Sequence, residues 1–71
     1  MSLFAQLVER IEEQPVDVPF IAYDWAIKCG AATHAQAANL VTRAVDRGLI
    51  MYAKGQNSAI LKEAKYVRKP G

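Results

Sequence analysis

One cysteine, one histidine and four glycines are all that 71 residues hold of three residue types on which much protein chemistry depends. With Cys29 alone, no internal disulfide can form. The margin that small chains often draw from cross-links must then come from packing or association. Cys29 and His34 fall short of the four ligands of a structural zinc site, so neither a metal nor another cofactor is expected. Gly30, Gly48, Gly55 and Gly71 are scattered and form no glycine-rich phosphate loop. The carboxylates Asp17, Asp24, Glu9, Glu12 and Glu13 have no spacing that suggests an acid–base pair, and Ser, His and Asp are not arranged as a triad. An enzyme is therefore not expected.

Long apolar runs are missing as well. None approaches the roughly 18 residues of a membrane span, so no membrane partner is expected. Residues 1–14 mix Leu3, Phe4, Leu7 and Val8 with Glu9, Arg10, Glu12 and Glu13, which fits neither a signal peptide nor a basic transit peptide. Together with the lone cysteine this points to a cytoplasmic protein.

What is present is a hydrophobic share of 52%, enough for one small core and too much for a disordered chain. The net charge of +2 conceals a division. Residues 1–27 set Arg10 against Glu9, Glu12, Glu13, Asp17 and Asp24, a balance of −4. Residues 28–71 set Lys28, Arg43, Arg47, Lys54, Lys62, Lys65, Arg68 and Lys69 against Asp46 and Glu63, a balance of +6. Two readings stay open: a side that faces a polyanion with an acidic back, or chance clustering on a solvated surface.

Ser2 can cap a first helix with Phe4, Leu7, Val8 and Ile11 on one face, and Pro15 ends it. Glu12 and Glu13 then sit at the negative end of the helix dipole. The β-branched, proline-flanked 15–20 segment reads as a loop with a brief strand at 16–18. A second helix follows over about 19–29, with Ile21, Ala22, Trp25 and Cys29 on one face and Gly30 as its stop. Thr33 and Gln36 form a capping box for a third helix running to Arg47, closed by Gly48. Its apolar arc is Ala37, Ala38, Leu40, Val41, Ala44 and Val45; its polar arc is Gln36, Asn39, Thr42, Arg43, Asp46 and Arg47. Residues 49–53 read as a strand and 54–58 as a turn. Residues 59–62 read as a return strand, although 58–69 also fits a fourth helix capped by Ser58. Trp25, Phe4, Phe20 and Tyr52 are assigned to the core, with Cys29 as a small core residue. Tyr23 and Tyr66 are assigned to the surface, and His34 to a partly buried place, with a phosphate contact as its alternative.

Two helices joined by a glycine-containing turn, then Arg47-Gly48-Leu49-Ile50, strand, glycine turn and strand: this pattern resembles the winged helix-turn-helix superfamily. The resemblance spans almost the whole chain and rests on element order and the Arg-Gly-Leu-Ile junction. It implies a mainly α fold with a small β-hairpin (α+β): a three-helix winged helix-turn-helix domain over 1–63, followed by a basic tail over 64–71. It also implies a transcriptional regulator that binds duplex DNA sequence-specifically, with helix 33–47 in the major groove and hairpin 49–62 as the wing.

On that expectation Gln36 and Asn39 match the adenine edge and Arg43 the N7 and O6 of guanine. The same three side chains are also what any amphipathic helix exposes. Lys28, Thr33, Arg47, Lys54, Gln56 and Lys62 would meet the DNA backbone, and Lys65, Arg68 and Lys69 could neutralise further phosphates. Thr33 has a capping role that needs no DNA. A homodimer fits both the small core and half-site logic, with the apolar side of the first helix as its expected interface. The rival is a winged-helix protein-interaction module without DNA binding, its protein partner meeting the first helix.

Overall fold

The computed structural model describes residues 2–55 and 60–70. Helix α1 spans Leu3–Glu12 because Ser2 caps it, its Oγ accepting from the Ala5 amide at 3.1 Å. Phe4, Leu7 and Ile11 turn inward. At the other end Arg10 reaches Glu13 at 3.6 Å. This exposed pair offsets, by a few tenths of a kcal/mol at most, the placing of acids at a negative helix end.

The extended segment expected at 16–18 forms instead at 20–21. Val16 makes only an isolated bridge to Arg68, and Val18 is exposed. Strand β1 is Phe20–Ile21, since Pro19 has no N–H to give a ladder. The second helix, α2, accordingly starts later than expected and spans Ala22–Cys29, with no side-chain cap. Gly30 ends it at φ 119°, and a Cβ there would come within 3.2 Å of Leu3 Cδ2. The Ala31 amide donates to Ala26 O and the Gly30 amide to Ile27 O, a Schellman closure.

Helix α3 spans His34–Asp46. Thr33 Oγ1 accepts from the Gln36 amide at 3.1 Å, as a cap should. Gln36 does not return to the cap amide; its Oε1 accepts from Ala32 N at 2.7 Å, one residue beyond. Gly48, at φ 73°, closes α3 in the same manner as α2, with the Leu49 amide donating to Ala44 O.

Strand β2 is Ile50–Tyr52 and strand β3 is Lys65–Arg68. The sheet is antiparallel in the order β1-β3-β2, with Phe20 and Tyr52 both paired to Tyr66. Among the described residues the architecture is thus α+β, three helices against a three-stranded sheet. The return strand expected at 59–62 lies instead at 65–68, and residues read as a basic tail or a fourth helix form the central strand. The apolar spacing at 60, 61, 64 and 67 suggested otherwise. In the strand, Tyr66 pairs with both Phe20 and Tyr52 and its side chain lies inside, 3% exposed. Residues 61–63 are turn, and the expected positions 56–59 lie outside the described residues.

Leu7, Ile11, Val41 and Ile50 are the largest fully buried side chains, joining α1, α3 and β2 in one core. Phe20, Trp25 and Cys29 pack on its margin, half-buried. The tyrosine assignments reverse: Tyr66 is buried, whereas Tyr52 is 57% exposed and stacks on it with ring centroids 4.9 Å apart.

Burial first, then the hydrogen bond with Tyr52 and its charge, push the Tyr66 phenol from 10.0 up to about 12. The raised value means that the folded state holds this proton after the unfolded chain has released it. Its contribution is complete below pH 10 and lost as pH rises through about 12, on the order of 2 kcal/mol. Urea midpoints across this interval should fall more steeply for the parent protein than for Tyr66→Phe. Equal slopes would show that Tyr66 is not the group responsible.

Candidate functional site

Helix α3 buries Ala37, Leu40, Val41 and Ala44 and leaves its remaining polar residues in solvent. Val45, assigned to the apolar arc, is 37% exposed at its edge. His34 is exposed rather than partly buried, its ring tilted against Tyr23 at 5.5 Å.

The structure brings Gln36, Asn39 and Arg43 together. They share a groove of about 510 Å³ with Ser2, Leu3, Phe4, Ala35 and Leu40. One wall is α3 and the other is the start of α1. The Arg43 guanidinium lies 4.2 Å from the centre of the Phe4 ring, and that of Arg47, one turn on, lies 5.4 Å from it. Phe4 therefore has two roles, burying one part of its ring in the core and offering a face to two cations. The sequence reading assigned it to the core alone. Nothing in the spacing of residues 4, 43 and 47 announces the contact, which exists only once α1 lies beside α3.

The other expected contacts are dispersed. Lys28 sits at the end of α2 with Nζ 4.9 Å above the Trp25 ring. Thr33 Oγ1 is engaged in the cap. Lys54 and Lys62 are exposed at either end of the connection between β2 and β3, and Gln56 lies outside the described residues. Lys65 and Lys69 are exposed. Arg68 is not a free cation: its Nη1 donates to Gln14 O at 3.1 Å and fastens the exit of α1 to β3. Among the described residues the one ion pair is Arg10–Glu13, so Arg43, Arg47 and the exposed lysines have no carboxylate partner there.

A second groove, of about 520 Å³, lies against the sheet, lined by Pro19, Met51, Tyr52 and Val67 with Asp17 and Lys54 at its rim. Val16 and Val18 are exposed in the same loop as Pro19. The side chains expected to form an interface on α1 are unavailable to a partner: Phe4, Leu7 and Ile11 are buried in the chain's own core and Leu3 packs against it. Among the described residues no three His, Cys, Asp or Glu side chains are placed to hold a metal ion, and no helix is long and apolar enough to cross a membrane.

Neither a family model, nor a curated protein, nor a solved structure matches the chain.

Replacing Arg68 by Met keeps the aliphatic stem and removes the bond to Gln14 O. We expect chemical denaturation to show a loss of about 1.5–3 kcal/mol, the range for a charge-assisted hydrogen bond. A variant as stable as the parent would show that Arg68 does not tie the loop to the sheet.

Proposed function

We propose that this chain is a small winged helix-turn-helix protein that binds duplex DNA sequence-specifically, as a transcriptional regulator. The observation that carries the reading is the pair Arg43 and Arg47, stacked on Phe4 without a carboxylate partner among the described residues, beside the exposed polar side of α3. Two cations one turn apart beside the exposed side of a helix suit the regular negative charge of a phosphate backbone. The element order is compatible with the winged layout: α2 and α3 joined by the glycine turn at Gly30, then the β2–β3 hairpin. In this reading α3 enters the major groove. The wing is the connection between Tyr52 and Lys65, carrying Lys54 and Lys62 to the flanking backbone.

A second reading has one observation in its favour. Met51 and Tyr52 are 48% and 57% exposed beside the apolar groove on the sheet, which suits a protein-docking surface better than a DNA contact.

Fluorescence anisotropy with a random duplex pool separates the two. Affinity should fall linearly with salt on a logarithmic scale, and the double variant Arg43→Ala/Arg47→Ala should lower that slope by about 2, roughly 0.9 per phosphate contact. Absence of binding at low salt would overturn the DNA reading and leave the groove on the sheet as the surface to test.

A further inference from the structure

The buried positions of α3, Ala37, Leu40, Val41 and Ala44, give the direction of the core. At about 100° per residue, the line opposite runs through Ala35, Asn39, Thr42 and Asp46, all of them exposed. Gln36, Arg43 and Arg47 lie roughly a quarter-turn to one side. That is the side on which α1 stands: Phe4 carries both guanidinium groups, and Gln36 Oε1 is taken by Ala32 N. A helix lowered into a major groove presents its outermost line to base edges and its flanks to the phosphates of the groove walls.

We propose that sequence is read by Ala35, Asn39 and Thr42, while Arg43 and Arg47, held on Phe4, grip the phosphates of one groove wall and do not read guanine. This rests on the duplex-DNA reading above and gives the binding site its base composition. An asparagine amide matches adenine N6 and N7, and the methyl groups of Ala and Thr suit the thymine methyl. With no arginine on the outer line there is no guanidinium fork for guanine O6 and N7. The read positions are therefore A·T pairs. From Ala35 to Thr42 the helix advances about 10 Å, which covers three base pairs at roughly 3.4 Å each. Asp46 ends the line with a charge that phosphates repel, so reading stops at Thr42. A cation–π contact engages the charge of the guanidinium over the ring, and the remaining N–H donors serve the phosphates.

The test is selection of bound duplexes from a random pool by the parent and by Asn39→Ala, Thr42→Ser, Arg43→Ala, Arg47→Ala and Phe4→Leu, with affinities at two salt concentrations. Thermal unfolding of each variant controls for the fold. The parent should select a core of A·T pairs. Arg43→Ala and Arg47→Ala should select the same core with the salt slope lowered by about 1 each. Asn39→Ala should lose discrimination at one position, roughly 5- to 100-fold, and Thr42→Ser, which removes the methyl, should lose preference for thymine at another, both with the slope unchanged. Phe4→Leu keeps an apolar side chain in the core and removes the ring face; it should weaken binding as Arg43→Ala does and leave the core sequence alone. A G·C core, a change of preferred base in Arg43→Ala, or binding without any selected sequence would overturn the assignment while duplex binding stood. Full affinity in Phe4→Leu would overturn the holding role of the ring. Failure of the parent to bind any duplex at low salt would instead remove the reading beneath it.

Discussion

Strand β3 holds the architecture together, because β1 and β2 pair with it and not with each other. β1 is two residues long and β2 three, too short to persist as an isolated hairpin. Each becomes a strand only when Lys65–Arg68 lies between them, and Tyr66 is the residue that meets both, opposite Phe20 and Tyr52. Arg68 extends the same closure to the first helix by its bond to Gln14 O. Burial of Tyr66 is thus the point at which the sheet, the entry to α2 and the exit of α1 are settled together. Contacts between residues 20 and 66 close a long stretch of chain, at a cost that grows only slowly with its length.

A second constraint follows from where α1 is placed. Its inner face supplies Leu7 and Ile11 to the core, and the same rotation leaves the Phe4 ring at the edge of α3 under Arg43 and Arg47. The two arginines consequently reach to the Phe4 ring on α1 and not straight out from α3. What α3 offers outward is small and uncharged until Asp46: Ala35, Asn39 and Thr42. Packing in the core therefore fixes the division of labour on the proposed binding face.

The helices were legible in the sequence because their signals are local. Ser2, Thr33, Gly30 and Gly48 act within a few residues of themselves, and each sits where cap or turn chemistry requires. The third strand was not legible, because Ile60, Leu61, Ala64 and Val67 satisfy a helical period and nothing nearby says that Tyr66 will meet Phe20. The two tyrosines exchanged roles for the same reason: their exposure depends on the register between strands. At the candidate site, the grouping of Gln36, Asn39 and Arg43 came from helical periodicity. The ring beneath Arg43 did not, being a contact between residues 4 and 43. The polar arc of α3 also spans about 140° of the helix wheel, from Thr42 to Arg47, so composition alone does not divide its centre from its flank.

The charge division along the chain acquires its meaning from the same placement. Phe4, Arg43 and Arg47 meet at the N-terminal end of α1, whereas Glu9, Glu12 and Glu13 belong to its other end. At 1.5 Å per residue, Glu9 is displaced along the axis by about 7 Å from Phe4, and Glu12 and Glu13 by about 12–14 Å. The Debye length in physiological salt is about 8 Å, so Glu12 and Glu13 are largely screened from the arginines, while Glu9 is near enough to offset part of their field. Arg10 further offsets the most distant of them by pairing with Glu13. An acidic sequence segment can therefore adjoin a cationic site without neutralising it. The helix acts as a spacer between the two arginines and the acids at its far end, and the acid nearest the arginines is Asp46 on α3 itself.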